Sequence, residues 1–518
     1  MSQFVSVKDP RVAISPEQDS LHVIKTGSSR ITYQRATADS YQLNSALVDA
    51  SWTVNPPSNQ TIIDRFFRVK YYVEVRCTGA DFEPVSNDAM RQMPMNSLID
   101  VTSLKINGEQ VSDASSDVLH AQLCYHNEAD DRRKSWSLTA SQPDQYQALE
   151  DYFVLGTNRN VACNYGENAF EPSRGSYTYE VIDAQTLRFE ITEPIFISPL
   201  FQGVGRQCEG LVNVNEIVLN LRFKADTQRF MTITPRLAPA PNITSITAQF
   251  YRAPEMILAY LTPQMFDGIP AVQTLSYVKP LSYIKQESTP LVAGETRTLI
   301  TDSIRLSQIP SRVMLFCRRT QATSTFDKPD SFLAIKSVRV QWNNEDGLLS
   351  SANQEDLYEI SRRNGCNLSW VQWSKQRGSV LMLEMGKDIG LPQGLSAGVQ
   401  GSFTLSCQVE FENVSGADYL PSFFMTLYNV GAFSISQNSA RVSVGNLSSS
   451  MVLLAQKESD EIASHHHDLD TGGSLLSSLS SMIPRKHARA HGGKLSKQDE
   501  EKEMSMPSRV VGGSLRRR

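Results

Sequence analysis

This sequence predicts an all-β protein with two similar β domains in tandem, built as sandwiches or barrels and followed by a basic tail. Three observations carry that reading. Strand-like runs rich in β-branched and aromatic residues fill the body, the order of runs and turns in the first half recurs in the second, and the β pattern stops after Ala455.

In the first half, Pro57-Ser58 leads into a strand over 66–75, and a strand over 101–106 runs into an Asn107-Gly108 turn and a helical segment at 118–125. The second half repeats the order with Ile309-Pro310-Ser311, a strand over 313–317, a strand over 335–342, an Asn343-Asn344 turn and a helix over 355–362. Arg174-Gly175-Ser176 opens an alternating run through Tyr177, Tyr179 and Val181, paired with Arg377-Gly378-Ser379 and the run 380–385. A last pair is 215–223 and 402–411, where Ile217, Leu219, Leu221 and Phe223 alternate with Val218, Asn220 and Arg222 as a strand with one buried face requires. Further strands are expected at 187–191, 243–250, 256–261 and 423–428, and further short helices at 115–125 and 145–153. The offset between paired features shrinks from roughly 250 to roughly 200 residues, so insertions separate the copies and a solenoid is excluded.

The length accommodates two or three domains with a tail. We expect an N-terminal arm at 1–20, a first domain at 21–255, a second with its connecting segment at 256–455, and a flexible tail at 456–518. The proline-rich run 234–241 suits a connector, and 243–261 either closes the first domain or links the two. The loops 78–97, 127–172 and 343–367 are long and polar.

Composition narrows the function. No apolar run reaches the ~18 residues of a membrane span, and the first residues start no signal peptide, so the expected compartment is cytosol or nucleus. Seven cysteines without a Cys-x-x-Cys pair read as reduced thiols. No phosphate loop, dinucleotide-binding glycine motif, nucleophile elbow or zinc-hydrolase histidine pair is present. His120 and Cys124 share a helix face and His126 lies away from both, which reads as packing and surface rather than a metal or Cys-His site. Trp342, Trp370 and Trp373 read as core or interface packing, the last two facing opposite ways if their run is a strand. No catalytic residue, cofactor or metal ligand is expected.

The tail differs in charge. Residues 481–518 hold ten Lys or Arg against four Asp or Glu, a formal +6, while 1–480 hold 40 against 51, a formal −11. Arg485, Lys486, Arg489, Arg516, Arg517 and Arg518 are the candidate nucleic-acid contacts, suited to neutralising phosphates without reading bases. A solvated terminus or a sorting signal accounts for the same charges. Residues 474–483 have the spacing of a short amphipathic helix.

These residues resemble a family. The run Asn55-Pro56-Pro57-Ser58-Asn59-Gln60-Thr61-Ile62-Ile63-Asp64-Arg65 is similar to the segment that opens the first sandwich in double jelly-roll major capsid proteins of virophages and polinton-like viruses. Arg174-Gly175-Ser176-Tyr177-Thr178 and the segment through Pro199-Leu200-Phe201 resemble a later part of the same domain. The resemblance implies two consecutive eight-stranded antiparallel jelly rolls, to which the residues themselves add short helices in loops and a flexible C-terminal tail that the fold does not require. It implies a non-enzymatic capsid protein forming homotrimeric, pseudo-hexagonal capsomers of an icosahedral DNA virus, assembled in host cytoplasm or nucleus. Its implied partners are neighbouring capsomers, penton and minor capsid proteins, and a maturation protease acting at Gly-Gly pairs such as Gly512-Gly513, pairs that flexible linkers also carry; non-specific genome contact is the expectation that the charge of the tail adds. The rival reading is a carbohydrate-binding or attachment β-sandwich protein without catalysis.

Overall fold

In a computed structural model, the described residues are 4–7, 22–25, 30–58, 61–83, 88–114, 116–125, 179–200, 210–233, 240–262, 271–320, 323–328, 330–415, 417–445 and 447–453. The helix expected at 145–153, the tail at 456–518 and most of the arm at 1–20 lie outside them. Within the arm, β1 (Phe4–Val7) pairs antiparallel with β2 (His22–Lys25) as a separate two-stranded sheet.

The first sandwich contains β3 (Arg30–Thr37), β4 (Ser40–Tyr41), β5 (Asp49–Val54), β6 (Ile62–Ile63), β7 (Arg68–Thr78), β8 (Asp88–Met90), β9 (Ile99–Ile106), β10 (Glu109–Asp113), β11 (Tyr179–Asp183), β12 (Thr186–Pro194), β13 (Ile217–Phe223), β14 (Met231–Ile233) and β15 (Ser245–Thr262). The second contains β16 (Val272–Gln286), β17 (Thr296–Ile300), β18 (Ile304–Gln308), β19 (Arg312–Arg319), β20 (Ala334–Trp342), β21 (Glu345–Leu348), β22 (Val380–Glu384), β23 (Gln400–Glu412), β24 (Pro421–Ser436) and β25 (Ala440–Val444). Short α-helices lie in connections, among them α1 (Pro94–Leu98), α2 (Leu119–Gln122) and α3 (Gln354–Arg363).

Each half has eight principal strands in two facing antiparallel sheets. The first half orders them β3-β15-β7-β12 and β5-β13-β9-β10, and the second orders them β16-β24-β19-β22 and β17-β23-β20-β21. Counted along the chain, both halves read first-eighth-third-sixth in one sheet and second-seventh-fourth-fifth in the other. That shared double Greek-key order makes two jelly rolls.

Alternation builds the cores. On β7, Val69, Tyr71, Val73, Val75 and Cys77 are buried inward while Lys70, Tyr72, Glu74 and Arg76 take the other face. Tyr71, Phe223 and Phe250 pack ring against ring across the first core, and Phe411 meets Phe423 across the second. The long β16 and β24 serve both cores, because Leu275, Tyr277, Phe433 and Ile435 join the first and Leu427 and Met425 the second.

Turns follow local chemistry. Asn107 and Gly108 both take positive φ, as a two-residue hairpin between β9 and β10 demands. Asn353 caps α3 in a reciprocal box, accepting from the Glu355 and Asp356 amides while Asp356 accepts from the Asn353 amide.

Several expectations change. The runs 243–250 and 256–261 form one strand, β15, whose register with β7 slips at Phe250/Arg252 and Arg252/Glu255. β15 pairs with β3 through Thr262, and the next described strand, β16, starts at Val272. The strand opened by Arg377-Gly378-Ser379 is the sixth, β22, and its counterpart is β12 rather than β11, which is an added edge strand. Trp370 and Trp373 lie in a helical turn, not a strand. Their rings stack at 6.2 Å beside Tyr358 instead of facing opposite ways.

Candidate functional site

The concentration of buried charge sits where the two sandwiches meet, so the candidate site is a structural junction. Its first layer is apolar. On the second sandwich, Phe423 and Met425 of β24 point into the core, Met425 touching Cys407 of β23 at 3.7 Å. Phe424, Thr426 and Tyr428 therefore face outward, in register with Phe316, Met314 and Arg312 of β19. The segment carrying α2 lies over this face: Val118, Ala121, Cys124 and Tyr125 share its cluster, and Gln122 Nε2 donates to Tyr428 Oη at 3.1 Å.

Tyr125 of the same segment covers a sheet edge together with Trp373 and Asn364 of the second half. On β22, the last strand of its sheet, the Val380 carbonyl accepts from Tyr125 Oη at 2.7 Å and from Trp373 Nε1 at 3.0 Å, while the Met382 carbonyl accepts from Asn364 Nδ2 at 2.8 Å. Such bonds occupy groups that would otherwise template further strand pairing.

The second layer is ionic. Asp330 of the second sandwich accepts from Arg229 of the first, from Arg318 at 3.0 Å, and lies 3.2 Å from His120 Nε2. Asp117, just before α2, takes Lys224 at 2.9 Å, while Arg318 Nη1 donates to the Asp117 carbonyl at 2.8 Å. Arg91 reaches across, donating to the carbonyls of Thr325 at 2.9 Å and Lys328 at 2.7 Å as well as to Met231 on its own side. Arg377 Nη2 returns the contact to the His120 carbonyl at 3.1 Å. Asn107 Nδ2 adds a bond to Ser436 at 2.9 Å at a separate point of the interface.

Electrostatics fix the charge states. Burial would raise both carboxyls, but Arg318, Lys224 and Arg229 hold Asp117 down at about 2, and Arg229, Arg318 and His120 hold Asp330 well below the usual range. Burial lowers His120 to about 3, so the ring is neutral and also shares a bond with Ser97 Oγ at 2.9 Å. Burial raises Asp113, at the end of β10, to about 7. Five guanidinium or ammonium groups knotted to two carboxylates and several carbonyls leave no reactive pair poised for chemistry; they hold two bodies in one orientation.

Of the residues singled out by sequence, His120 and Cys124 are buried and are not a Cys-His pair, since Cys124 Sγ donates to the His120 carbonyl at 3.2 Å and the ring turns to Asp330. Trp342 and Trp373 are fully buried, which fits packing and leaves no sugar-stacking groove between them. Among the described residues no group of three His, Cys, Asp or Glu could hold a metal, and no helix is long and apolar enough to cross a membrane. Arg485, Lys486, Arg489, Arg516, Arg517, Arg518 and His126 lie outside the described residues. Arg91, Asp117, Arg229, Arg318, Asp330 and Arg377 were not legible, being spread over nearly 290 positions; Arg318 sitting at the end of the apolar run 313–317 is the one local hint.

Both halves have known relatives. Residues 2–186 match the Sputnik virophage major capsid protein first domain, and residues 280–377 match the major capsid protein V20 C-terminal domain. Over 491 residues the chain is 27% identical to the putative capsid protein V20 of Sputnik virophage, covering 87% of this chain and 81% of that protein. A chain from the cryo-EM structure of the Sputnik virophage superposes with a TM-score of 0.74 at 26% identity, over 87% of this chain and 95% of that one. The mavirus major capsid protein gives 0.64 at 14% identity over 86% and 95%, a likeness of fold. Matched in both halves, on a strand order that the structure repeats, the chain is similar in sequence and fold to the double jelly-roll major capsid proteins of virophages.

Proposed function

We propose that this chain is the major capsid protein of an icosahedral DNA virus and assembles as a homotrimer into pseudo-hexagonal capsomers. The observation that carries the reading is the identical strand order of the two sandwiches, locked by the Asp117/Asp330 junction. Two like bodies at a fixed angle give six around a threefold axis, a tile with six sides that packs edge to edge. Work is done by shape and contact, and no catalytic step is needed.

Several finer assignments belong to the same proposal. Neighbouring capsomers abut the tile, a penton protein fills the vertices, and minor capsid proteins join tiles. Assembly takes place in host cytoplasm or nucleus. The tail, with Arg485, Lys486, Arg489, Arg516, Arg517 and Arg518, contacts the genome without sequence preference, and a maturation protease cuts at one of its Gly-Gly pairs. The arm at 1–20, the domains at 21–255 and 256–455 and the tail at 456–518 are the working divisions, with the strand pairing favouring a crossing after Thr262.

Light scattering on the purified chain tests the assembly. The expected mass is about three times the 57.8 kDa of one chain. A monomer at every concentration up to the solubility limit would refute the capsomer.

A further inference from the structure

Two of the buried thiols come from different sandwiches and meet. Cys124 follows α2, between β10 and β11 of the first sandwich, and Cys366 follows α3, between β21 and β22 of the second. Each is 2% exposed, and both belong to the second core. Tyr125 and Cys366 form an isolated antiparallel bridge, and the Asn367 amide donates to the Cys124 carbonyl at 2.8 Å. That bond marks the narrow kind of antiparallel pair, whose Cα atoms approach to about 4.5 Å. One residue along the chain, the Cα of Cys124 stands roughly 5–6 Å from that of Cys366, inside the ~4.4–6.8 Å that a disulfide spans.

Both cysteines are held by their own elements. The Cys366 amide donates to the Ser361 carbonyl of α3 at 2.8 Å, and its carbonyl accepts from Arg362 Nη1 at 2.6 Å. Cys124 keeps its thiol on the His120 carbonyl. Burial, and after it the neighbouring Cys124 thiol, pushes the Cys366 thiol up to about 12. The other described cysteines have other neighbours. Cys77 Sγ donates to the Ala80 carbonyl at 3.1 Å, Cys407 touches Met425, and Cys317 stands in register with Phe423.

We infer that Cys124 and Cys366 are a dithiol that closes into a disulfide when the protein passes from a reducing to an oxidising compartment, joining the first sandwich's α2 segment covalently to the second sandwich. The oxidant is an external disulfide of the glutathione class. One cysteine attacks it as the thiolate and releases one external thiol, leaving a mixed disulfide. The other cysteine, also as the thiolate, attacks the protein sulfur of that mixed disulfide and releases the second external thiol. Two protein thiols are oxidised, two electrons and two protons pass to the external pair, and one S–S bond replaces another. Both sulfurs belong to one chain, so the inference does not depend on the capsomer reading.

Burial sets the timing. A buried thiol held protonated is inert, so exchange waits for α2, which has only four residues, to lift from the face it covers. In a reducing cytosol the pair stays open, and the chain folds without the link. In oxidising surroundings the link closes slowly. It then joins a loop of about 240 residues, and a long loop is where a cross-link restricts the unfolded chain most. The link also fixes the segment whose Tyr125 bonds the Val380 carbonyl and whose Gln122 bonds Tyr428, so the junction of the two sandwiches gains a covalent tie.

The full chain, purified reduced and then held with excess oxidised glutathione, tests the link. Remaining thiols are blocked with N-ethylmaleimide in urea, and the chain is digested and mapped by mass spectrometry. The expected product is the Cys124 peptide joined to the Cys366 peptide, lighter than the two by two hydrogens and separated again by dithiothreitol. The half-life of the folded oxidised chain in concentrated urea should lengthen by roughly tenfold or more and return to the reduced value with dithiothreitol. Cys124→Ala and Cys366→Ala, with circular dichroism to confirm the fold, should gain nothing from oxidation. If either variant fails to fold, the peptide map of the native chain decides by itself. Both thiols carrying maleimide after oxidation, either one joined to a different cysteine or left carrying glutathione, or a joined pair with an unchanged half-life, overturns the inference.

Discussion

Asp330 draws Arg229 from one sandwich and Arg318 from the other onto a single carboxylate, so neutralising it strips two buried guanidiniums of a partner. Asp330→Asn should lower unfolding stability at pH 7 by about 3–5 kcal/mol, as measured by urea denaturation. The sign with pH follows from its depressed folded pKa. Its contribution is present above the unfolded value of about 3.9 and is lost as pH falls through the folded one, so native and variant should converge in acid. Asp113 runs the other way. Its folded pKa, raised by burial to about 7, makes its contribution complete below the unfolded value and lost as pH rises through 7. Asp113→Asn should therefore raise the melting temperature at pH 8 and leave it nearly unchanged at pH 4. A gain of equal size at both would show that the carboxyl is not desolvated.

Among the elements, β22 depends on the glycine before it. Gly378 has φ +89° and a Cβ there would stand 1.8 Å from the Phe332 carbonyl oxygen, which belongs to the backbone and cannot step aside. Gly108 has φ +92° with open space around it. Gly108→Ala should cost only the roughly 1–2 kcal/mol of left-handed strain, while Gly378→Ala should cost more than about 4 kcal/mol or fail to fold. Chemical denaturation of the two variants side by side decides it; equal losses would contradict the close approach. The same motif shows where sequence reading stops. Arg-Gly-Ser recurs at 174–176 and 377–379, yet it precedes a supplementary edge strand in one half and the sixth strand in the other. Strands with one buried face, such as β13 and β23, were legible because alternation records burial directly. The continuity of β15 was not, since two register slips interrupt its alternation. The junction was hidden for a different reason: its charges pair across chain separations such as Arg229 to Asp330, and no local pattern distinguishes a buried arginine from a solvated one.

At the scale of the whole molecule, the duplicated jelly roll supplies a tile and the tail supplies charge. The +6 of residues 481–518 against the −11 of the rest suits a tail that meets phosphate while the body meets other bodies. Binding of the isolated tail to duplex DNA should weaken with salt at a log-log slope of roughly −0.9 per phosphate contacted. Exchanging Arg485, Lys486, Arg489, Arg516, Arg517 and Arg518 for glutamine should leave trimers intact and reduce the genome packaged per particle. Equal packaging at equal shell yield would assign the charge to solvation or sorting. The claim on which the rest depends is that two like sandwiches per chain become six around one axis. A density map of the purified assembly tests it most directly: the account predicts six sandwiches alternating first and second around a threefold axis, and a particle with any other number of sandwiches, or with first sandwiches in contact only with first sandwiches, would contradict it.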